Sequence, residues 1–120
     1  LAQEAAACTA LALAFRRPVR MARGALIAVQ APTLVALHAR LARSFEPWLT
    51  AQDRQRLSPH VTVMNKATPE AARAALAELE AGFVPWSGQG EALQLWAYRG
   101  GPWEALRRFP FAVPGAPERA

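Results

Sequence analysis

A single cysteine, Cys8, rules out an intrachain disulfide, so the fold must be held by packing and hydrogen bonds, and a reducing cytoplasm is the expected setting. No apolar run approaches the ~18 residues that a membrane-spanning helix needs. The sequence holds no GxGxxG, GxSxG, P-loop or paired-cysteine motif. That removes dinucleotide binding, nucleophile-elbow hydrolysis, P-loop phosphoryl transfer and cysteine-based zinc sites from the candidates. Histidine is scarce too, with His38 and His60 the two in the chain. The opening LAQEAAACTALALAFRRP lacks a basic start, carries Glu4 and has its arginines after the apolar stretch, so it does not read as a secretion signal.

What is present is globular. Hydrophobic residues make up 52 % of 120 residues, enough for one domain with a modest core. Lys66 is the one lysine, so 13 of the 14 cations are arginines, and the net charge is +5. Such a surplus suits anionic partners such as RNA or phosphate esters. A GC-rich genome favouring Arg and Ala codons would leave the same bias. Ten prolines and seven glycines punctuate the chain without a repeat period.

Residues 2–8 read as the end of a helix, and residue 1 is Leu rather than Met, which fits a piece of a longer protein. ALALAF (10–15) alternates as a half-buried strand, RRPVRMARG reads as a basic turn around Pro18 and Gly24, and ALIAVQ (25–30) as a second strand. From Pro32, Leu34, Leu37, His38, Leu41 and Phe45 recur at helical spacing, and Pro47 closes that helix. PWLTAQDRQRLSP is a loop, and HVTVMN (60–65) a strand by its β-branched content. Residues 68–82 carry the clearest helix signal, with Thr68 as N-cap, Pro69 and Glu70 in the first turn, and Gly82 at the end. A loop to Gly90, a strand over 92–98, a GGP turn and a frayed tail from Pro110 complete the reading. The order predicts an α+β layer, an antiparallel sheet with helices packed on one face.

Alternate side chains of a strand share a face, so His60, Thr62, Met64 and Lys66 are expected on one side, and Val61, Val63 and Asn65 on the other. If the valines pack on the helices, His60 and Thr62 face the open side. An imidazole beside a hydroxyl, with a cation further along, suits phosphate handling, since the hydroxyl donates to phosphate oxygens and imidazole moves protons. The plain alternative is a histidine on an exposed strand. Gln94, Trp96 and Tyr98 fall on one face of the last strand, where aromatics stack on bases or simply fill a sheet edge. Arg16, Arg17, Arg20 and Arg23 cluster at the expected turn, to track an RNA backbone or as a solvated loop. His38 belongs to the helical stripe as a packing residue, and Cys8 reads as a small core residue.

PHVTVMNK, the Thr-Pro-Glu helix after it and the ending LQLWAYRGGPWEALRRFPF resemble the two-histidine (2H) phosphoesterases, and within them the bacterial 2'-5' RNA ligase family. The likeness runs from about residue 24 to 111, and its signature is the His-x-Thr-x of residues 60–63, flanked by PWLTAQDRQ and WAYRGGPW. The resemblance implies a bilobal fold in which each half contributes one His-x-Thr-x strand. One histidine then serves as general base and the other as general acid, while both threonines hold phosphate oxygens. It implies 2',3'-cyclic phosphates of RNA ends, or 2'-5' linkages, as substrates, and no metal or cofactor for the hydrolysis. His60 and Thr62 match the second tetrad, and Lys66, Trp96 and Tyr98 are the expected substrate contacts. Nothing matches the first tetrad, since His38 sits in His-Ala-Arg-Leu on an expected helix. Residues 1–111 are therefore expected to form a partial 2H phosphoesterase-like domain, an incomplete bilobal fold, with 112–120 as a frayed tail. Alone, such a chain is expected to be weakly active or inactive. A non-catalytic, basic RNA-binding module and an inactive truncated product are the competing expectations.

Overall fold

The computed structural model describes residues 1–112. In chain order the elements are helix α1 (Ala2–Ala6), strands β1 (Leu11–Met21) and β2 (Gly24–Gln30), and helix α2 (Pro32–Ser44). A single 3-10 turn (Glu46–Trp48), strand β3 (His60–Met64), helix α3 (Pro69–Gly82) and strands β4 (Trp86–Gly90), β5 (Ala92–Ala97) and β6 (Glu104–Pro110) follow. The architecture is α+β, as expected. The chain divides into two compact units, Ala12–Gly88 in one and Leu1–Leu11 with the chain from Gln89 onward in the other.

The larger unit is built on a sheet of strand order β3-β2-β1-β4, in which β1 with β2 and β2 with β3 pair antiparallel. The basic stretch expected as a turn is mostly strand. β1 runs through RRPVR, Pro18 pairs with Ile27, and the turn shrinks to Ala22 and Arg23. The ladder is irregular two residues before Pro18. Phe15 pairs with Val29 and Arg17 with Ala28, so Arg16 is an extra residue in a β-bulge, and bulges are where a sheet accommodates proline.

β4, expected as loop, has the composition WSGQG, which carries almost no strand propensity. Packing supplies what propensity does not. Trp86 stacks on Phe15, with ring centroids 4.4 Å apart and planes 7° from parallel. Gly88 leaves room for that ring, because a Cβ there would lie 3.2 Å from Phe15 Cε2.

α3 forms as read. The Thr68 hydroxyl accepts a hydrogen bond from the Ala71 N–H at 3.1 Å, Pro69 opens the first turn, and Ala72 is fully buried where the helix packs on β2. Ala25, Ile27, Ala31, Leu37 and Ala72 are the buried apolar residues of this unit. The segment between α2 and β3 is not slack. Thr50 N–H donates to Asp53 Oδ2 and Asp53 N–H to Thr50 Oγ1, and Arg54 pairs with Glu46 at 3.3 Å.

In the smaller unit β5 and β6 form an antiparallel hairpin, closed through Gly100 at φ 82°. Leu95 pairs with Arg107 and Trp96 with Ala105, so Leu106 is extra and bulges. α1 packs near β6, and Ala5, Cys8, Leu11, Phe109 and Phe111 are buried. The expected fraying from Pro110 is not seen up to Ala112. Phe111 N–H donates to the Glu91 carbonyl at 2.8 Å and Ala112 N–H to the Cys8 carbonyl at 2.7 Å, while Ala112 bridges Thr9. The rest of the expected tail lies outside the described residues. Among the described residues no helix is long and apolar enough to cross a membrane.

Candidate functional site

β3 is the edge strand of the larger unit's sheet, and its register fixes which way its side chains face. His60 pairs with Ala28, Val61 with Ile27, and Thr62 with Leu26. Paired residues of an antiparallel ladder share a face. Ile27 and Val63 line an apolar groove together with Leu79 and Phe83, so Val61 and Val63 take the α3 side. His60 and Thr62 take the other side, where both are exposed. The valines remain 45 % and 47 % exposed because an edge strand has a neighbour on one side only.

The alternation does not extend to Lys66. β3 ends at Met64, and Lys66 adopts a left-handed φ of 56° with its N–H on Asn65 Oδ1 at 2.8 Å. Lys66 therefore sits in the turn that follows, and strand periodicity no longer sets the direction of its side chain.

His60 is held by its own chain. Its Nδ1 lies 2.7 Å from the Ser58 carbonyl oxygen. A carbonyl can only accept, so Nδ1 carries the proton, and in the neutral ring Nε2 is left as the basic nitrogen. Ser58 is oriented in turn by the next peptide, since the Pro59 carbonyl accepts from Val29 N–H at 3.0 Å. The result is an imidazole of fixed tautomer beside an exposed hydroxyl two residues on, on the same face of the edge strand. Such a pair can exchange a proton at Nε2 and donate a hydrogen bond from Thr62 Oγ1.

His60 also lines a groove of about 650 Å³ with His38, Phe45, Gln52, Asp53 and Arg56. His38 is on α2 as the sequence indicated, half-buried, but the groove it shares with His60 was not legible from helical spacing. Trp96 and Tyr98 belong to the other unit. Trp96 is on β5, and Tyr98 lies one residue beyond its end, its ring 4.7 Å from that of Trp103. Trp103, which no periodicity singled out, makes this an exposed aromatic cluster at the hairpin end. Of the basic cluster, Arg16, Arg17 and Arg20 lie on β1 and Arg23 in the turn. Among the described residues no group of three or more His, Cys, Asp or Glu side chains is arranged to hold a metal.

The family model of the 2'-5' RNA ligase superfamily matches residues 1–102. No curated protein and no solved structure matches the chain.

Proposed function

The chain belongs to the 2'-5' RNA ligase superfamily, and from that premise we propose that it supplies one His-x-Thr-x half of a site that processes the phosphates of RNA ends. The observation that carries this reading is the His60 imidazole. Its Nδ1–H is committed to the Ser58 carbonyl, which leaves Nε2 for the proton that moves, with the Thr62 hydroxyl on the same face.

On a 2',3'-cyclic phosphate the chemistry needs two proton transfers. A base takes a proton from water as its oxygen bonds to phosphorus, and an acid gives one to the ribose oxygen as the P–O bond to it breaks. His60 serves one transfer through Nε2, and Thr62 Oγ1 donates to a non-bridging phosphate oxygen. The other transfer belongs to a second His-x-Thr-x strand. These 120 residues hold two histidines, and His38 in His-Ala-Arg-Leu does not form such a tetrad. The partner strand is therefore supplied from outside this sequence. We place this chemistry in a reducing cytoplasm, consistent with the single, buried cysteine.

The test is binding and turnover of 2',3'-cyclic AMP. The chain is expected to bind it, with His60→Ala and Thr62→Val each weakening binding without unfolding the exposed strand. Adding the missing half is expected to raise turnover by about 10²–10⁴-fold over that of the His60→Ala counterpart. Binding that survives both substitutions and fades only with salt would favour a basic RNA-binding module, the reading that the strand-borne arginines and the Trp96, Tyr98 and Trp103 cluster support.

A further inference from the structure

We propose that Arg17 is a phosphate-binding residue of the same site, brought to the His60 face by the β-bulge at Arg16; this rests on the reading of His60 and Thr62 as a phosphate half-site. Without the bulge, Arg17 would share a face with Phe15, two residues before it. The register shows otherwise. Phe15 pairs with Val29 and Arg17 with Ala28, and these adjacent residues of β2 point to opposite faces. Phe15 goes to the side where it stacks on Trp86. Arg17 goes to the side of Ala28, and Ala28 pairs on its other edge with His60.

Arg17, Ala28 and His60 thus form one rung across three strands. Two antiparallel steps put the Cα atoms of Arg17 and His60 about 10 Å apart. Ala28 between them carries only a methyl group, so nothing tall stands on the sheet between guanidinium and imidazole. Arg17 and Ala28 also line a groove of about 560 Å³ with Arg16, Val29, Gln30 and Pro85. Among the described residues no carboxylate or carbonyl holds the Arg17 guanidinium. Arg54, Arg99 and Arg108, by contrast, pair with Glu46, Glu104 and Glu91.

A planar fork of donors standing beside a general acid–base and a hydroxyl fits a phosphate's non-bridging oxygens. The ligand chemistry is an RNA phosphate, either the reacting group or the next one along the chain. Arg20 provides an internal control, because it pairs with Ala25 and so faces away from Arg17, three residues along the same strand.

The experiment is titration calorimetry of the wild-type chain, Arg17→Gln, Arg17→Lys and Arg20→Gln with 2',3'-cyclic AMP and with a diadenylate ending in a 2',3'-cyclic phosphate. Arg17→Gln is expected to weaken binding by about tenfold or more, with partial recovery in Arg17→Lys and little change in Arg20→Gln. Loss with both ligands assigns Arg17 to the reacting phosphate, and loss with the diadenylate alone assigns it to the neighbouring one. Equal weakening by Arg17→Gln and Arg20→Gln would overturn the proposal in favour of undirected charge attraction. Unchanged binding in Arg17→Gln while His60→Ala and Thr62→Val lose it would overturn the Arg17 assignment and leave the half-site intact. No binding of either ligand by the wild-type chain would overturn both.

Discussion

Replacing Gly24 by Ala perturbs the site through space rather than through backbone conformation. Gly24 opens β2 without a positive φ, so alanine suits its backbone. Its surroundings do not suit a methyl group. A Cβ there would run into the carbonyl oxygen of Met64, with the carbonyl carbon at 2.7 Å and Asn65 Cα at 3.2 Å. Overfilling a packed site costs about 1–3 kcal/mol when side chains can shift. Here the obstacle is backbone, so relief requires the end of β3 to move away from β2. That movement strains the pairing of Ala25 with Met64 and the Ala67 N–H bond to the Arg23 carbonyl, each worth about 1 kcal/mol. The lower unfolded-state entropy of alanine returns only ~0.4–1 kcal/mol. The expected net loss is about 3 kcal/mol, a large part of the ~5–15 kcal/mol that holds a typical domain. Urea unfolding followed by circular dichroism measures it as a lower midpoint at unchanged slope. A loss under about 1 kcal/mol would mean that β2 and β3 are not in the close approach that sets the register of His60 and Thr62.

Leu37→Ala removes the largest fully buried side chain, 1 % exposed, and is expected to cost about 2–5 kcal/mol in the same assay; a negligible loss would show that α2 is not seated on a core. Thr68→Ala removes the α3 cap and should cost about 1 kcal/mol, with Thr68→Ser restoring most of it. A double-mutant cycle on Phe15→Leu and Trp86→Leu should give a coupling of about 0.5–1.5 kcal/mol, and a coupling near zero would remove the reason offered for β4.

Legibility followed how local each cause is. α3 was readable because Thr68, Pro69 and Glu70 act within one turn, and the cap forms as their order predicts. The shared face of His60 and Thr62 was readable because period two is a local property of a strand. In β1, Pro18 and its arginines carry the composition of a turn, whereas the apolar run of β2 offers them a ladder. β4 had no signal of its own and depends on the ring of Phe15, far earlier in the chain. Arg17 illustrates the limit most clearly. Counting by twos from Phe15 assigns it the wrong face, and only the pairing with β2 reveals the extra residue at Arg16. The Ser58 carbonyl that fixes the His60 tautomer is a backbone group and leaves no trace in residue type.

The most direct test of the His60 half-site is the imidazole nitrogen spectrum of His60 during titration with 2',3'-cyclic AMP. The ring is expected to carry a proton at Nδ1, where the Ser58 carbonyl accepts, and its Nε2 resonance is expected to move as the ligand is added. A ring protonated at Nε2, or a His60 resonance that stays still while the ligand binds, would contradict the half-site.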